Sequence, residues 1–549
     1  MGMQNIFRLI KIKETLSIGL IATFLLLEKP SIFYRFSIIE TTDSKKLFIV
    51  AFVAFIWLTA LAAIFFAARS RPVFKWGFFL LATISLFIFD VFTATSHNGY
   101  ATLLYGDYIT IRQSAANLND VLAEYGNLLI APFFRMFLLF LAFFISTPDL
   151  IKKAEVKSSL LIILCLAIFV GICVTKKGTG TDKIPGFLSI YGFEIAMLLD
   201  EKNPAYNYGN IFFKPRTQPR RENILLIIDE SVRSDFFNGA EAISGLNIKS
   251  NSLWNVYDYG SATSGNNCSH YTSIILRKGP KPDHLRAEIQ ENPLIWAYAK
   301  EAGFRTTLID AQHSGQGHDY FDLVELKMID NNVNTEKYQS DKDIAVELKK
   351  LLKNGNNFVI IVKKGAHFPY VERYPTTFGP NFNSAYINEK QNRIEYARAI
   401  MYQTGGFFAE LLGESLTPST LMVYTSDHGQ NLNDTSGPTH CTTTGDPYQG
   451  EGMVPMLVID NRQDEKLSSF SQINHNKTSH FNVFSTLLYY LGYEKNDYQS
   501  HYGDSLIEPV KRLGYFNYGR PFGYFGSEPM FKRTGEALDY SGDKKIISP

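Results

Sequence analysis

Two hydrophobic rhythms divide the chain. Before residue 175 the apolar positions come in long unbroken runs: Leu47 to Ala68, Trp76 to Phe92, Leu128 to Ile145 and Ser158 to Val174. Each is close to the roughly 20 residues that cross a bilayer. A shorter run, Leu16 to Leu27, ends at Glu28-Lys29-Pro30 and makes a fifth expected span, with Ser31 to Ile39 as a possible extension. The residues after it lack the small side chains of a signal-peptide cleavage site, so its retention is expected. Beyond residue 222 the apolar runs are short and rich in β-branched residues: Ile224 to Ile228, Thr306 to Ile309, Phe358 to Val362, Leu421 to Thr425 and Val454 to Ile459. These predict buried strands. Helix-compatible stretches, Pro293 to Ala302, Asp341 to Leu352, Glu389 to Leu412 and His480 to Leu491, lie between them. That alternation predicts an α/β fold with a mainly parallel sheet between helices. The expected domains are therefore 1–175, a transmembrane domain of five spans; 176–222, a linker of mixed Gly, Pro and aromatic residues; and 223–549, an α/β domain.

Charge sets the expected orientation. Arg8, Lys11 and Lys13 precede the first span, Arg69, Arg71 and Lys75 lie between the second and third, and Lys152, Lys153 and Lys157 between the fourth and fifth. Cytoplasmic loops keep the positive excess, which sends the long C-terminal portion to the opposite face, although Lys45, Lys46, Lys176 and Lys177 dilute the bias. Asp90 and Arg135 fall within or beside spans; an interhelical pair, snorkelling to the interface and a lipid-headgroup role are the readings open to them. The connector from His97 to Asn127 is long, and Gln113 to Tyr125 within it is helix-compatible. A net charge of +1 with 19% charged residues provides no polybasic field, so nucleic acid is not an expected partner. Of the four cysteines, Cys165 and Cys173 sit in an apolar run, which leaves Cys268 and Cys441 as the pair available to a soluble domain.

Candidate chemistry lies where polar residues follow the predicted strands, because ligand sites of open α/β sheets form beyond the strands' carboxyl ends. Asp229-Glu230-Ser231 ends the first, Lys363-Lys364-Gly365-Ala366-His367 a second, and Ser426-Asp427-His428-Gly429 a third. Taken singly, an Asp-Glu or Asp-His after a strand is more often a helix cap or a surface loop. Together, carboxylates and imidazoles converging on one edge form a ligand set suited to zinc, and no HExxH helix competes with it.

These residues resemble the lipid A phosphoethanolamine transferases of Gram-negative envelopes, within the alkaline phosphatase and sulfatase superfamily. Asp229-Glu230-Ser231-Val232-Arg233-Ser234-Asp235 is similar to the family's Gly-Glu-Thr-x-Arg-x-Asp, and Tyr259-Gly260-Ser261-Ala262-Thr263 to its Cys-Gly-Thr-x-Thr. Ser426-Asp427-His428-Gly429 is intact, Gly365-Ala366-His367-Phe368-Pro369-Tyr370 is similar to Gly-x-His-x-Pro-x, and His440 falls where a further site histidine is expected. The resemblance implies five membrane spans and a periplasmic sulfatase-like domain, in a bacterial inner-membrane protein. It implies one or two zinc ions held by Glu230, Thr263, Asp427 and His428. Thr263 is then the nucleophile that takes phosphoethanolamine from phosphatidylethanolamine and passes it to lipid A or the lipopolysaccharide core. His367 and His440 would contact the phosphoryl oxygens or a second zinc, and Ser261 and Ser264 are rival nucleophiles.

The chain also departs from the family. Tyr259 replaces a cysteine, Gln430 replaces the usual glutamate after Asp-His-Gly, and Gln316, flanked by His313 and His318, stands where many members carry a lysine. A phosphoglycerol transferase acting on an envelope glycan, and a non-catalytic membrane protein with a decayed sulfatase-like domain, are the alternatives. A sulfatase is disfavoured, since Cys268-Ser-His-Tyr-Thr lacks the Cys/Ser-x-Pro-x-Arg pattern.

Overall fold

The computed structural model describes residues 3–28, 44–95, 108, 130–146, 153–176, 184–200, 207–238, 242–312, 321, 323–333, 335, 338–379, 389–435, 438–442, 445–519 and 529–534. The possible extension at Ser31 to Ile39, the helix expected at Gln113 to Tyr125, and Gln316 with His313 and His318 all lie outside the described residues.

The chain divides into two compact units after Asn203. The first is helical: α1 (Met3–Leu26), α2 (Ser44–Ala68), α3 (Pro72–Thr95), α4 (Ile130–Ile145), α5 (Lys153–Lys176) and α6 (Gly186–Asp200). Within it α1 packs on α4, α2 on α5, and α6 on α3 and α5. Its core is apolar, while Phe55, Leu58, Leu80, Leu81, Phe144 and Ile163 point outward. Among the described residues three helical segments are long and apolar enough to cross a bilayer: Val50–Ala68, Pro72–Asp90 and Lys153–Thr175. Pro132–Ile145 and Gly186–Leu199 are apolar but shorter, and α1 carries Arg8, Lys11, Lys13 and Glu14 in its first half, so five full spans are not established. Helix α6 lies inside the stretch expected to be a linker; two glycines and an isolated Glu194 broke up its apolar pattern. Asp90 and Arg135 are an interhelical pair. Arg135 ion-pairs with Asp90 on α3 and, at 3.0 Å, with Glu28 just beyond α1, whose other oxygen accepts from the Gly186 amide at 2.7 Å.

The second unit is built on a seven-stranded sheet of order β2-β7-β6-β1-β5-β3-β4. Its strands are β1 (Asn223–Asp229), β2 (Asn255–Thr263), β3 (Arg305–Asp310), β4 (Asn331–Val333), β5 (Asn357–Val362), β6 (Thr420–Ser426) and β7 (Met453–Asp460). All five strands read from the apolar runs are present, and all pairings are parallel except those of β7 with β6 and β2. Every residue of β1, β5, β6 and β7 is buried, because helices cover both faces. Side chains alternate across the pleat. Ile224, Leu226 and Ile228 face Trp296, Tyr298, Phe484 and Leu487 on one side; Leu225 and Ile227 face Ile344, Leu348, Tyr396 and Phe408 on the other. Truncating such a residue, Leu226→Ala for example, costs about 2–5 kcal/mol.

Strand β2 escaped the apolar pattern because it is a half-exposed edge strand with a register shift between Asp258 and Ser261. Gly260 makes that irregularity with φ +72°, and a Cβ there would meet Asn476 Oδ1 at 2.2 Å. Since β7 is antiparallel to both neighbours, β2 runs the same way as β6. The carboxyl ends of β1, β2, β5 and β6 therefore share one edge of the sheet. A small hairpin, β8 (Tyr515–Tyr518) with β9 (Met530–Arg533), follows.

Candidate metal centre and active site

Three sequence-flagged residues meet at that edge. Glu230 follows β1, Asp427 and His428 follow β6, and one ligand atom from each lies within 4.8 Å of the other two. Hydrogen bonds join the two strand ends: Asp427 N donates to Asp229 O at 2.9 Å, and Val232 N to the Ser426 side-chain Oγ at 2.7 Å. Ser231, at φ +59°, turns the chain there; its amide donates to Asp427 Oδ1 at 2.8 Å and its hydroxyl to Glu230 Oε1 at 2.8 Å. His428 Nδ1 lies 2.7 Å from Gly429 O. A carbonyl only accepts, so Nδ1 carries a proton and Nε2 is the ring atom that faces the carboxylates. It lies 3.4 Å from Asp427 Oδ2 and 3.8 Å from Glu230 Oε1.

This set fits a divalent cation. Asp427 Oδ2 is fully buried with no hydrogen-bond partner, an arrangement that protein groups rarely leave uncompensated. Burial, then the Asp427 charge beside it, pushes the Glu230 carboxyl well above its ordinary range. A cation among two carboxylates and one imidazole would relieve both conditions, and that mixed O/N set suits zinc.

The neighbouring Asp229 has a different duty. Its Oδ2 accepts from buried Lys363 Nζ at 2.5 Å and from the Thr404 and Tyr424 hydroxyls at 2.7 Å each, which locks β1 to β5 and β6. Thr404 reaches it from a π-turn, Met401–Gly405, that interrupts the helix expected over Glu389 to Leu412. The loop after β5 crosses directly over the Glu230 backbone. Gly365 has φ +56°, and a Cβ on it would lie 2.5 Å from Glu230 O, so only glycine fits.

His367, at the end of that loop, donates from Nδ1 to Phe368 O, and burial followed by the nearby Arg373 lowers its pKa to about 4. His440 stacks on His428, with ring centroids 4.4 Å apart, and stands 5.9 Å from the His367 ring. Burial and the two neighbouring histidines hold its pKa well below the usual value. Both rings are neutral beside the cluster. Gln430 instead turns its amide to the Tyr370 hydroxyl at 2.9 Å.

The structure places the candidate hydroxyls unequally. Thr263 ends β2, two strand positions from β6, about 10 Å at ordinary strand spacing. Its hydroxyl pairs with Thr534 at 3.5 Å. Ser261 bonds Ser234, and Ser264 bonds Asn266 O. Ser269, which sequence reasoning passed over, lies instead 3.1 Å from His428 Nε2 and 3.4 Å from Glu230 Oε1. It opens helix α7 (Ser269–Lys278), and the onset of helical patterning after Cys268 was the only available signal. Cys268, the residue before it, forms a disulfide with Cys441, the residue after His440.

With this geometry in view, residues 222–493 match the family model named Sulfatase. The C-terminal domain is thus sulfatase-like over a little under half of the chain. Among curated proteins, the phosphoethanolamine transferase EptA of Escherichia coli K12 is 23% identical over 327 residues, covering 54% of this chain and 58% of the relative. The match thus spans less than two thirds of that protein's length. Among solved structures, the integral membrane lipooligosaccharide phosphoethanolamine transferase A of Neisseria meningitidis aligns with a TM-score of 0.56 at 13% identity. The alignment covers 88% of this chain and 97% of that one, so the likeness in fold takes in the helical unit as well as the sulfatase domain.

Proposed function

We propose that the chain is a zinc-dependent phosphotransferase that moves phosphoethanolamine from phosphatidylethanolamine to a cell-envelope acceptor, lipid A or the lipopolysaccharide core. The observation that carries this reading is the buried Glu230–Asp427–His428 set with its unpartnered Asp427 oxygen. A decayed domain has no reason to keep so costly an arrangement. The similarity to EptA supports the headgroup, and the apolar outer surface of helices α2 to α5 supports membrane anchorage, which holds the site beside lipid headgroups and raises the effective donor concentration. In this reading the protein sits in the bacterial inner membrane with the sulfatase domain in the periplasm.

Glu230, Asp427 and His428 would hold the ion, and zinc bound there would supply a Lewis acid that activates a hydroxyl and offsets charge on phosphorus. A protein hydroxyl takes the headgroup as a phosphoester and then yields it to the acceptor; the family resemblance gives that role to Thr263. His367 donates from Nδ1 to a carbonyl, so its Nε2 is an acceptor, fit to take the proton of an attacking acceptor group or to bind a second zinc. His440 stands between His367 and His428, where phosphoryl oxygens would enter.

Mass spectrometry of lipid A and other envelope glycans from cells expressing wild type or Asp427→Asn tests this. A phosphoethanolamine gain on lipid A with wild type alone is the expected result. A glycerol phosphate gain in its place would transfer the site to the phosphoglycerol reading, and no gain on any glycan from well-expressed protein would favour the non-catalytic one.

A further inference from the structure

We infer that Ser269, and not Thr263, is the attacking nucleophile; the inference rests on the phosphotransferase reading and sharpens it. Among the described residues, Ser269 Oγ bridges a carboxylate and an imidazole of the candidate metal set, at 3.4 Å from Glu230 Oε1 and 3.1 Å from His428 Nε2. The Thr263 hydroxyl has Thr534 Oγ1 as its partner, at 3.5 Å, and its strand lies two positions from β6.

The chain between the two residues shows how the serine is delivered. Residues 264–268 cross from the end of β2 toward β6, and each is fixed. Ser264 N donates to Gly452 O at 2.9 Å, Gly265 N to His480 Nδ1 at 3.0 Å, Asn266 Nδ2 to Asn517 Oδ1 at 2.8 Å, and Asn267 Nδ2 to Glu451 Oε2 at 2.7 Å. Cys268 is tied covalently to Cys441. Five successive anchors on an irregular segment hold Ser269 in one place, which is the preorganisation that a reacting group requires. Ser269 also begins a ten-residue helix whose N-cap residue makes no side-chain capping bond. The positive end of the helix dipole thus faces the place where phosphoryl charge would gather.

In the first half-reaction the Ser269 Oγ–P bond forms as the bond from phosphorus to the diacylglycerol oxygen breaks. The serine proton goes to water and the departing oxygen takes one from water. In the second, an acceptor oxygen attacks phosphorus and the serine hydroxyl is regained, so protons balance and no electrons are exchanged.

The test uses purified full-length, zinc-loaded protein mixed with phosphatidylethanolamine vesicles and no glycan acceptor, followed by digestion and fragment-ion mass spectrometry of peptide 250–277, which contains both hydroxyls. The expected result is a phosphoethanolamine adduct on Ser269. It should be lost in Ser269→Ala protein that keeps wild-type zinc content and melting temperature, and still be found on Ser269 in Thr263→Ala protein. An adduct on Thr263 would overturn the inference while leaving the phosphotransferase reading intact. Failure of wild-type cells to modify any envelope glycan would sink that reading itself. Glycan modification in cells without an adduct on any residue would overturn Ser269 in favour of direct transfer.

Discussion

Two buried clusters, one in each unit, are assembled from similar parts and do opposite things. In the helical unit, Glu28 and Asp90 flank Arg135, whose guanidinium also lies over the Phe24 ring. In the sulfatase-like domain, Glu230 and Asp427 flank His428, whose Nδ1 donates to Gly429 O and whose Nε2 is turned toward both carboxylates. The first cluster contains its own cation and ties three helices together. The second has two carboxylates, an imidazole in place of the guanidinium, and a buried oxygen without a hydrogen-bond partner. The contrast separates a structural lock from a candidate ion site.

Substitutions can break this contrast at several points. The largest effect is expected from Glu230→Gln or His428→Ala: a loss of transfer of about 10³-fold or more, with loss of bound zinc, read by lipid mass spectrometry and metal analysis. Chelation should reproduce it and added zinc reverse it. In the helical unit, Arg135→Met strands two buried carboxylates and should cost about 3–5 kcal/mol, seen as a lower melting temperature in detergent. The triple replacement Glu28→Gln, Asp90→Asn, Arg135→Met should recover most of that loss, because no unpaired charge remains. Asp427→Asn makes the sharpest contrast. It removes charge repulsion and supplies a donor where the unpartnered oxygen stood, so zinc-free protein should gain about 1–3 kcal/mol while losing its stabilisation by zinc. Were zinc-free Asp427→Asn protein instead as unstable as the Arg135→Met variant, the distinction between the clusters would collapse.

The smallest effect concerns pH. His480 accepts from Gly265 N and donates to Thr425 Oγ1, and burial lowers its pKa from 6.5 to about 3. The folded state keeps it neutral while the unfolded chain takes up a proton. Its contribution is therefore present above pH 6.5 and is lost as pH falls toward 3. Melting temperature measured from pH 7 to pH 5 should fall more steeply for wild type than for His480→Asn.

The parts of the fold that were legible are those whose burial is continuous. Ile224 to Ile228 and Leu421 to Thr425 are covered on both faces, so their composition alone marks them as strands, and the polar residues after them had to emerge at the sheet's carboxyl edge. Strand β2 was hidden because its tyrosines alternate with Asp258, Gly260 and Ser261 at an irregular edge, and α6 because it is short and carries glycines. Ser269 was hidden for another reason: a serine after a cysteine looks the same whether it caps a helix at the surface or faces a metal site.

What the sequence determined by itself was the division into a long-run apolar part and an α/β part, and the strand ends that carry Glu230, Asp427 and His428, which the family resemblance singled out as candidate ligands. Hydrophobic periodicity and strand-end chemistry are local properties, and local properties are written in neighbouring residues. Only the tertiary structure decided that Asp229 is a strand lock, that Arg135 is neutralised within its own unit, and which hydroxyl stands against the candidate metal ligands. Those outcomes depend on the antiparallel insertion of β7 between β2 and β6 and on the anchored crossing from Ser264 to Cys268. They are set by distances between segments far apart in the chain, which no short motif records.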